Sequence, residues 1–222
     1  MTDRPIIFSA PMIQAINGNR KTQTRRLASS PLARVQVGDR LWVREAFRLA
    51  YGNSYYREDL GRVPRPSDLD PKTTAVEYLA DGERELGGKS YPSLHMPRWA
   101  SRLTLIVEDV RFQSLLDTTE TDAQAEGLFF DEPTEADKEW AAARAEETGS
   151  DPEMRGVWII PGTDCGWGRH PRAPLWGPTA VSAFHALWNS LHTNEGERWE
   201  DNPQIVALTF RVVRENIDRI GA

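Results

Sequence analysis

At 222 residues the chain is long enough for one large domain, or a compact one with sizeable insertions, and it can bury a substantial core. A net charge of −6 argues against wholesale coating of nucleic acid, and a single cysteine, Cys165, removes disulfide-stapled folds and multi-thiolate zinc sites. No apolar run approaches the roughly 20 residues that cross a bilayer, and the N-terminus lacks the order of a signal peptide, so a soluble cytoplasmic protein without membrane contact is expected. The charge is unevenly spread. Residues 1–48 hold nine cations against three acids, a net +6 that leaves −12 for the remainder. Such a division can create a positive cleft inside an acidic protein, although any single arginine reads more readily as a solvated strand edge.

In chain order, "PIIF" reads as a short strand, followed by a helix with Ser9 as N-cap, Pro11 in its first turn and Gly18 at its exit. Met12, Ile13 and Ile16 form the apolar stripe of that helix. "NRKTQTRR" follows as a strand, and "VGDRLWVREAF" as a turn and a further strand with one wet face. The segment from Leu49 to Pro71 dissolves into tyrosine, proline and charge. "TTAVEYLA" resumes as a strand. "RLTLIVEDVRFQSL" is the strongest strand signal, with a break in alternation near Asp109 that predicts a bulge. "DTTETDAQAEGL" reads as a helix capped at Asp117 or Thr118 and ended by Gly127. The acidic stretch that follows carries "TEADKEWAAARAEE", a solvated helix by composition, and residues 154–177 form a tryptophan-rich loop. A helix with Val181, Phe184, Leu187, Trp188 and Leu191 on one face precedes the closing strand "QIVALTFRVV". This order suits an α+β fold in which a β-barrel carries short helices between its strands.

The chain has no phosphate-cradling glycine loop, nucleophile elbow or HExxH, and His95, His170, His185 and His192 are scattered without ligand spacing. No metal and no cofactor is therefore expected. The densest chemistry is "GNRKTQTRR", where strand alternation places Lys21, Gln23 and Arg25 on one side and Thr22, Thr24 and Arg26 on the other. A charged edge strand that discourages aggregation would look the same. Trp42 is either core or a base-stacking ring. Arg98, Trp99 and Arg102 form either a stacking and phosphate-contact set or a packed tryptophan with solvated arginines.

The pattern Asn19, Lys21, Thr24, Arg26 resembles the G-x-K-x-x-[ET]-x-R signature of the ASCH domain, a branch of the PUA-like superfamily. "GDRLWVRE", "YPSLHMPRWASRLTL", "DAQAEGL", "ALWNSLH" and "WEDNPQIVALTF" look like later blocks, in the same order, of the longer members often encoded by phages and prophages. The resemblance implies one PUA-like β-barrel domain over residues 1–222, with insertions at about 49–73 and 128–177. Members of the family include RNA-binding modules, a ribonuclease and an amidohydrolase that deacetylates N4-acetylcytidine. Carried over to this chain, the last would put catalytic roles on Lys21, Thr24 and Glu126. Substrate contacts would then fall on Arg25, Arg26, Trp42, Arg44, Glu45, His95, Arg98, Trp99 and Arg102. Two departures stand out: the motif glycine is Asn19, preceded by Gly18, and the commoner glutamate is Thr24. The expected partner is a nucleoside or RNA. The expected activity is deacylation of an N4-acylated cytidine, with a non-catalytic nucleic-acid-binding module or a ribonuclease as the alternative. Lys21 and Glu126 serve equally well as a structural ion pair. A catalytic pairing of Lys21 with Thr24 demands a bend between them, since a flat strand points them to opposite faces.

Overall fold

The computed structural model describes residues 1–50, 65–69, 71–72, 74–82, 90–149, 156–160 and 176–221. Most of the expected 49–73 insertion and residues 161–175 of the tryptophan-rich segment, Cys165 among them, lie outside the described residues.

Strand β1 (Asp3–Ile7) leads into helix α1 (Ala10–Asn17), then β2 (Gln23–Leu27), β3 (Arg40–Arg44), β4 (Phe47–Ala50), β5 (Ala75–Tyr78), β6 (Ser90–Tyr91) and the long β7 (Thr104–Ser114). Helix α2 (Glu120–Ala125), β8 (Phe129–Asp131), α3 (Glu135–Thr148), β9 (Val157–Ile159), β10 (Trp176–Gly177), α4 (Ala180–Leu191) and β11 (Gln204–Val213) complete the order. The fold is mixed α+β. Its main sheet runs β1-β3-β7-β11-β2, parallel at β1/β3 and antiparallel elsewhere, and two three-stranded sheets, β10-β9-β8 and β5-β4-β6, flank it. The break in alternation near Asp109 is a bulge: Thr209 pairs with Asp109 but Phe210 with Val107, leaving Glu108 as the extra residue.

The core is built from the inward faces of this sheet and the stripe of α1. Ile6, Ile13, Ile16, Leu41, Leu105, Ile205 and Leu208 are sealed from solvent, and Met12 and Ala15 are buried beside them. Helix α2 begins beyond both expected caps, Asp117 and Thr118, because Thr119 accepts the Asp122 N–H while the Asp122 carboxylate accepts the Thr119 N–H. Helix α3 buries no residue, as its composition predicts. In α4 the buried face is Ala180, Ala183, Phe184 and Trp188, while Leu191 is 70% exposed. The end of that stripe turns to a cavity instead of the core.

The sheet is open but strongly curled. Its edge strands β1 and β2 share no ladder among the described residues, and in a flat five-stranded sheet they would stand about 19 Å apart at 4.8 Å per strand. Yet Arg26 Nη2 of β2 donates to the Ile7 carbonyl of β1 at 3.3 Å. Coiling has brought the two edges to within one side chain of each other, and the candidate site occupies the gap.

Candidate functional site

Local backbone geometry sets Lys21 in place. Helix α1 ends at Gly18, and Asn19 takes a left-handed conformation (φ 56°), which asparagine tolerates better than most residues. The chain folds back so tightly that both the Arg20 and Lys21 N–H groups donate to the Ala15 carbonyl. Lys21 then bridges to Glu126, the C-terminal cap residue of α2, and the Thr22 N–H donates to the Ala125 carbonyl at 2.9 Å. The regular strand begins only at Gln23. Gly127 makes this junction possible: its φ of +102° is strained for any side chain, and a Cβ there would lie 2.7 Å from Ala15 Cβ and 3.0 Å from Lys21 Cβ.

At the junction, Lys21 Nζ donates to Glu126 Oε2 at 2.5 Å and to the Glu126 carbonyl at 2.9 Å, with Lys21 1% and Glu126 3% exposed. Arg25 Nη1 donates to Glu126 Oε1 at 3.0 Å, and its Nη2 lies 2.8 Å from Asp122 Oδ1, which also accepts from Arg111 Nη2 at 2.8 Å. Strand alternation thus places Lys21 and Arg25 on one carboxylate. Four cations, Lys21, Arg25, Arg26 and Arg111, gather around Glu126 and Asp122, with Asp109 on Arg111, so the cluster is formally positive. Burial pushes the Lys21 pKa down. Glu126 opposes that shift, while Arg26 and Arg25 add to it.

Lys21, Arg25, Arg26 and Glu126 line a cavity of about 460 Å³. Its walls are mainly apolar, from Phe8 and Met12 on one side and Phe184, Leu187, Trp188 and Leu191 of α4 on the other. Ser9 stands at the N-cap of α1 without a side-chain cap bond and lines the cavity instead. Phe8 lies 5.5 Å below both the Lys21 Nζ and the Arg26 guanidinium carbon.

Thr24 is fully buried and does not line the cavity; its Oγ1 accepts from Arg26 Nη1 at 2.7 Å. The remaining acceptors of Arg26 are the Arg25 and Ile7 carbonyls, so among the described residues it faces the cavity without a carboxylate partner. The other sequence candidates do not line this cavity. Trp42 is buried beneath the Arg44 guanidinium, 4.5 Å away. Glu45 is buried and bonded twice by Arg102, which also grips Asp81 and lies over the Tyr78 ring. Burial pushes the Tyr78 phenol up to about 12. Arg98 ties Asp3 to Asp218, and Trp99 packs against the Phe47 and Tyr91 cluster. Arg44 and His95 line a different cavity.

Comparison with protein-family models, curated proteins and solved structures yields no match. The site therefore stands on its own geometry. Among the described residues no group of three or more His, Cys, Asp or Glu side chains is placed to hold a metal ion, and no helix is long and apolar enough to cross a membrane.

Sequence reasoning missed His192, which caps α4, stacks on Trp188 at 4.1 Å and lines the cavity. Burial pushes its pKa down, with Arg26 adding to the effect against Glu197. His185, earlier on α4, bonds Glu200 at the surface instead. Asp122 and Arg111 were also missed; the capping-box spacing Thr119/Asp122 was a local signal for the first of them.

Asp122 gives the site a pH signature. Burial alone would raise its carboxyl pKa, but the bond from Arg111 and the charge of Arg25 outweigh it and hold the value at about 2, below the ordinary 3.8. The folded state therefore keeps the anion where the unfolded chain takes up a proton. That stability is complete above about pH 4 and is lost as pH falls through 2, an effect of about 2 kcal/mol. Urea unfolding of wild type across pH 2–5 should show this slope, and Asp122→Asn should flatten it.

Proposed function

We propose that the chain is an ASCH-type, PUA-like domain, its curled sheet a barrel left open at the β1/β2 edge, and that it hydrolyses the amide of an N4-acylated cytidine or a closely related modified nucleoside. The observation that carries this reading is a lysine sunk against a glutamate at the wall of an apolar cavity whose volume suits a nucleoside. A buried lysine with a depressed pKa is a usable base, and Glu126 Oε2, 2.5 Å away, is in place to carry a proton. In the reactive state Lys21 has lost its proton and is a free base. Water adds to the acyl carbonyl and gives a proton to Lys21, and the oxyanion forms against Arg25 and Arg26. Collapse breaks the carbon–N4 bond, and the proton taken from water passes from Lys21 through Glu126 to N4, which returns Lys21 to its neutral form. The products are cytidine and a carboxylic acid.

In this scheme Thr24 positions Arg26 and water is the nucleophile, because the Thr24 hydroxyl lies outside the cavity lining and already accepts from Arg26. Thr24→Val should therefore lower kcat by about 10- to 100-fold, the worth of one hydrogen bond to a charged group, with KM little changed. Abolition of activity by that variant, with Thr24→Ser fully active, would restore a nucleophilic role. The activity itself is tested by incubating the protein with N4-acetylcytidine and resolving cytidine by chromatography.

One observation favours a second reading. Among the described residues Arg26 is satisfied only by neutral acceptors and so is available to phosphate, as a non-catalytic nucleic-acid binder would require. Under that reading, binding to single-stranded RNA falls steeply with salt and no cytidine is released.

A further inference from the structure

Behind the turn at Ser93–His95 lies a second cavity, of about 620 Å³, lined by Arg44, Arg65, Tyr91, Leu94 and His95 together with three prolines. It backs onto the first. Ser93 faces the Lys21 cavity while its neighbours face this one, Ile7 and Arg44 are register partners, and the Phe8 N–H donates to the Arg44 carbonyl at 3.1 Å.

Arg44 differs from Arg98 and Arg102. Arg98 and Arg102 each hold two carboxylates, whereas among the described residues none reaches Arg44. Its guanidinium is half-buried and lies over the Trp42 ring, and its Nε is buried with no hydrogen-bond partner among the described residues. Burial pushes its pKa down, the mark of a cation whose water is not replaced by an anion. A ring face offsets part of that loss but satisfies no N–H. Arg65, exposed and from a separate segment, faces the same space.

We infer that this cavity is a phosphate-binding site, with the Arg44 and Arg65 guanidiniums gripping the oxyanion from two sides and Tyr91, Leu94 and the prolines covering the organic part of the ligand. A tetrahedral phosphate accepts from two planar forks on different elements at once, and Arg44 lies stacked with its donors unspent. The phosphate comes either from a free nucleotide or from a phosphodiester backbone. The inference does not rest on any chemistry at Lys21.

Calorimetric titration of the full chain at low salt tests it, with 5′-CMP as one probe and a short single-stranded oligonucleotide lacking terminal phosphates as the other. Wild type should bind at least one of them. Arg44→Met and Arg65→Ala should each weaken that binding by about tenfold or more, as expected for loss of a charge-assisted contact. Arg44→Met orphans no partner, so its thermal midpoint should equal or exceed that of wild type, and Arg65 is exposed enough to change without harm to the fold. Tighter binding of CMP assigns a terminal phosphate, and tighter binding of the oligonucleotide assigns the backbone. Absence of binding to either probe, unchanged affinity in both variants, or a loss seen with Arg26→Gln but not with Arg44→Met would overturn the inference.

Discussion

Glu126→Ala should cost about 3–5 kcal/mol of folding stability, the largest effect of any single substitution at the site, because it leaves buried cations without their anion. Lys21 and Arg25 both reach the same carboxylate and both are at most 2% exposed. Arg25 keeps Asp122, but the Lys21 ammonium would retain only the carbonyl of residue 126 as an acceptor. The carboxylate also sits at the seam that joins α2 to the start of β2, so its loss loosens the approach of two elements. In urea unfolding the midpoint should drop with little change in slope. The double variant Lys21→Met, Glu126→Gln should recover much of the loss, because it removes the lysine charge along with the glutamate charge. A loss below about 1 kcal/mol in Glu126→Ala would show that the pair is solvated like an ordinary surface bridge.

Lys21→Met should instead spare the fold and remove the chemistry. Methionine fills much the same volume, and Glu126 remains paired with Arg25. With no base in the cavity, hydrolysis should fall by about 10²- to 10⁴-fold. The pH profile offers an independent check. Lys21 acts only after losing its proton, so kcat/KM should rise with pH through the Lys21 pKa, which burial places below the ordinary 10.5. The same displacement has a stability sign. Between the folded pKa and 10.5 the unfolded chain binds more protons than the folded one, so burial of Lys21 becomes less costly as pH rises across that window. A kcat/KM independent of pH on the alkaline side of neutrality would contradict the role of base.

Much of the site could be read from local pattern. Lys21 and Arg25 fall on one face by strand alternation and do share Glu126, whereas the pairing of Lys21 with Thr24 is not formed, since Thr24 lies outside the cavity lining and accepts from Arg26. The stripe of α1 and the bulge in β7 were legible for the same reason, since both are periodic features of neighbouring residues. Partners distant in sequence were not. Arg98 meets Asp3 and Asp218, and Arg102 meets Glu45 and Asp81, so two arginines that look like phosphate contacts are engaged with carboxylates. Nor could spacing tell that "GDRLWVRE" would turn Arg44 away from Lys21 into another cavity. The uneven charge along the chain has a related explanation: acids of the negative remainder, Glu126 and Asp122, fold back onto cations of the first 48 residues and, among the described residues, leave Arg26 and Arg44 without a carboxylate.

The catalytic reading of the Lys21–Glu126 pair is tested most directly by the rate of cytidine release from N4-acetylcytidine, measured for wild type and Lys21→Met at equal folded concentration. Release by wild type, with at least about a hundredfold loss in the variant, is the predicted result. No release by wild type, or equal release by both proteins, would contradict it and leave the pair as architecture.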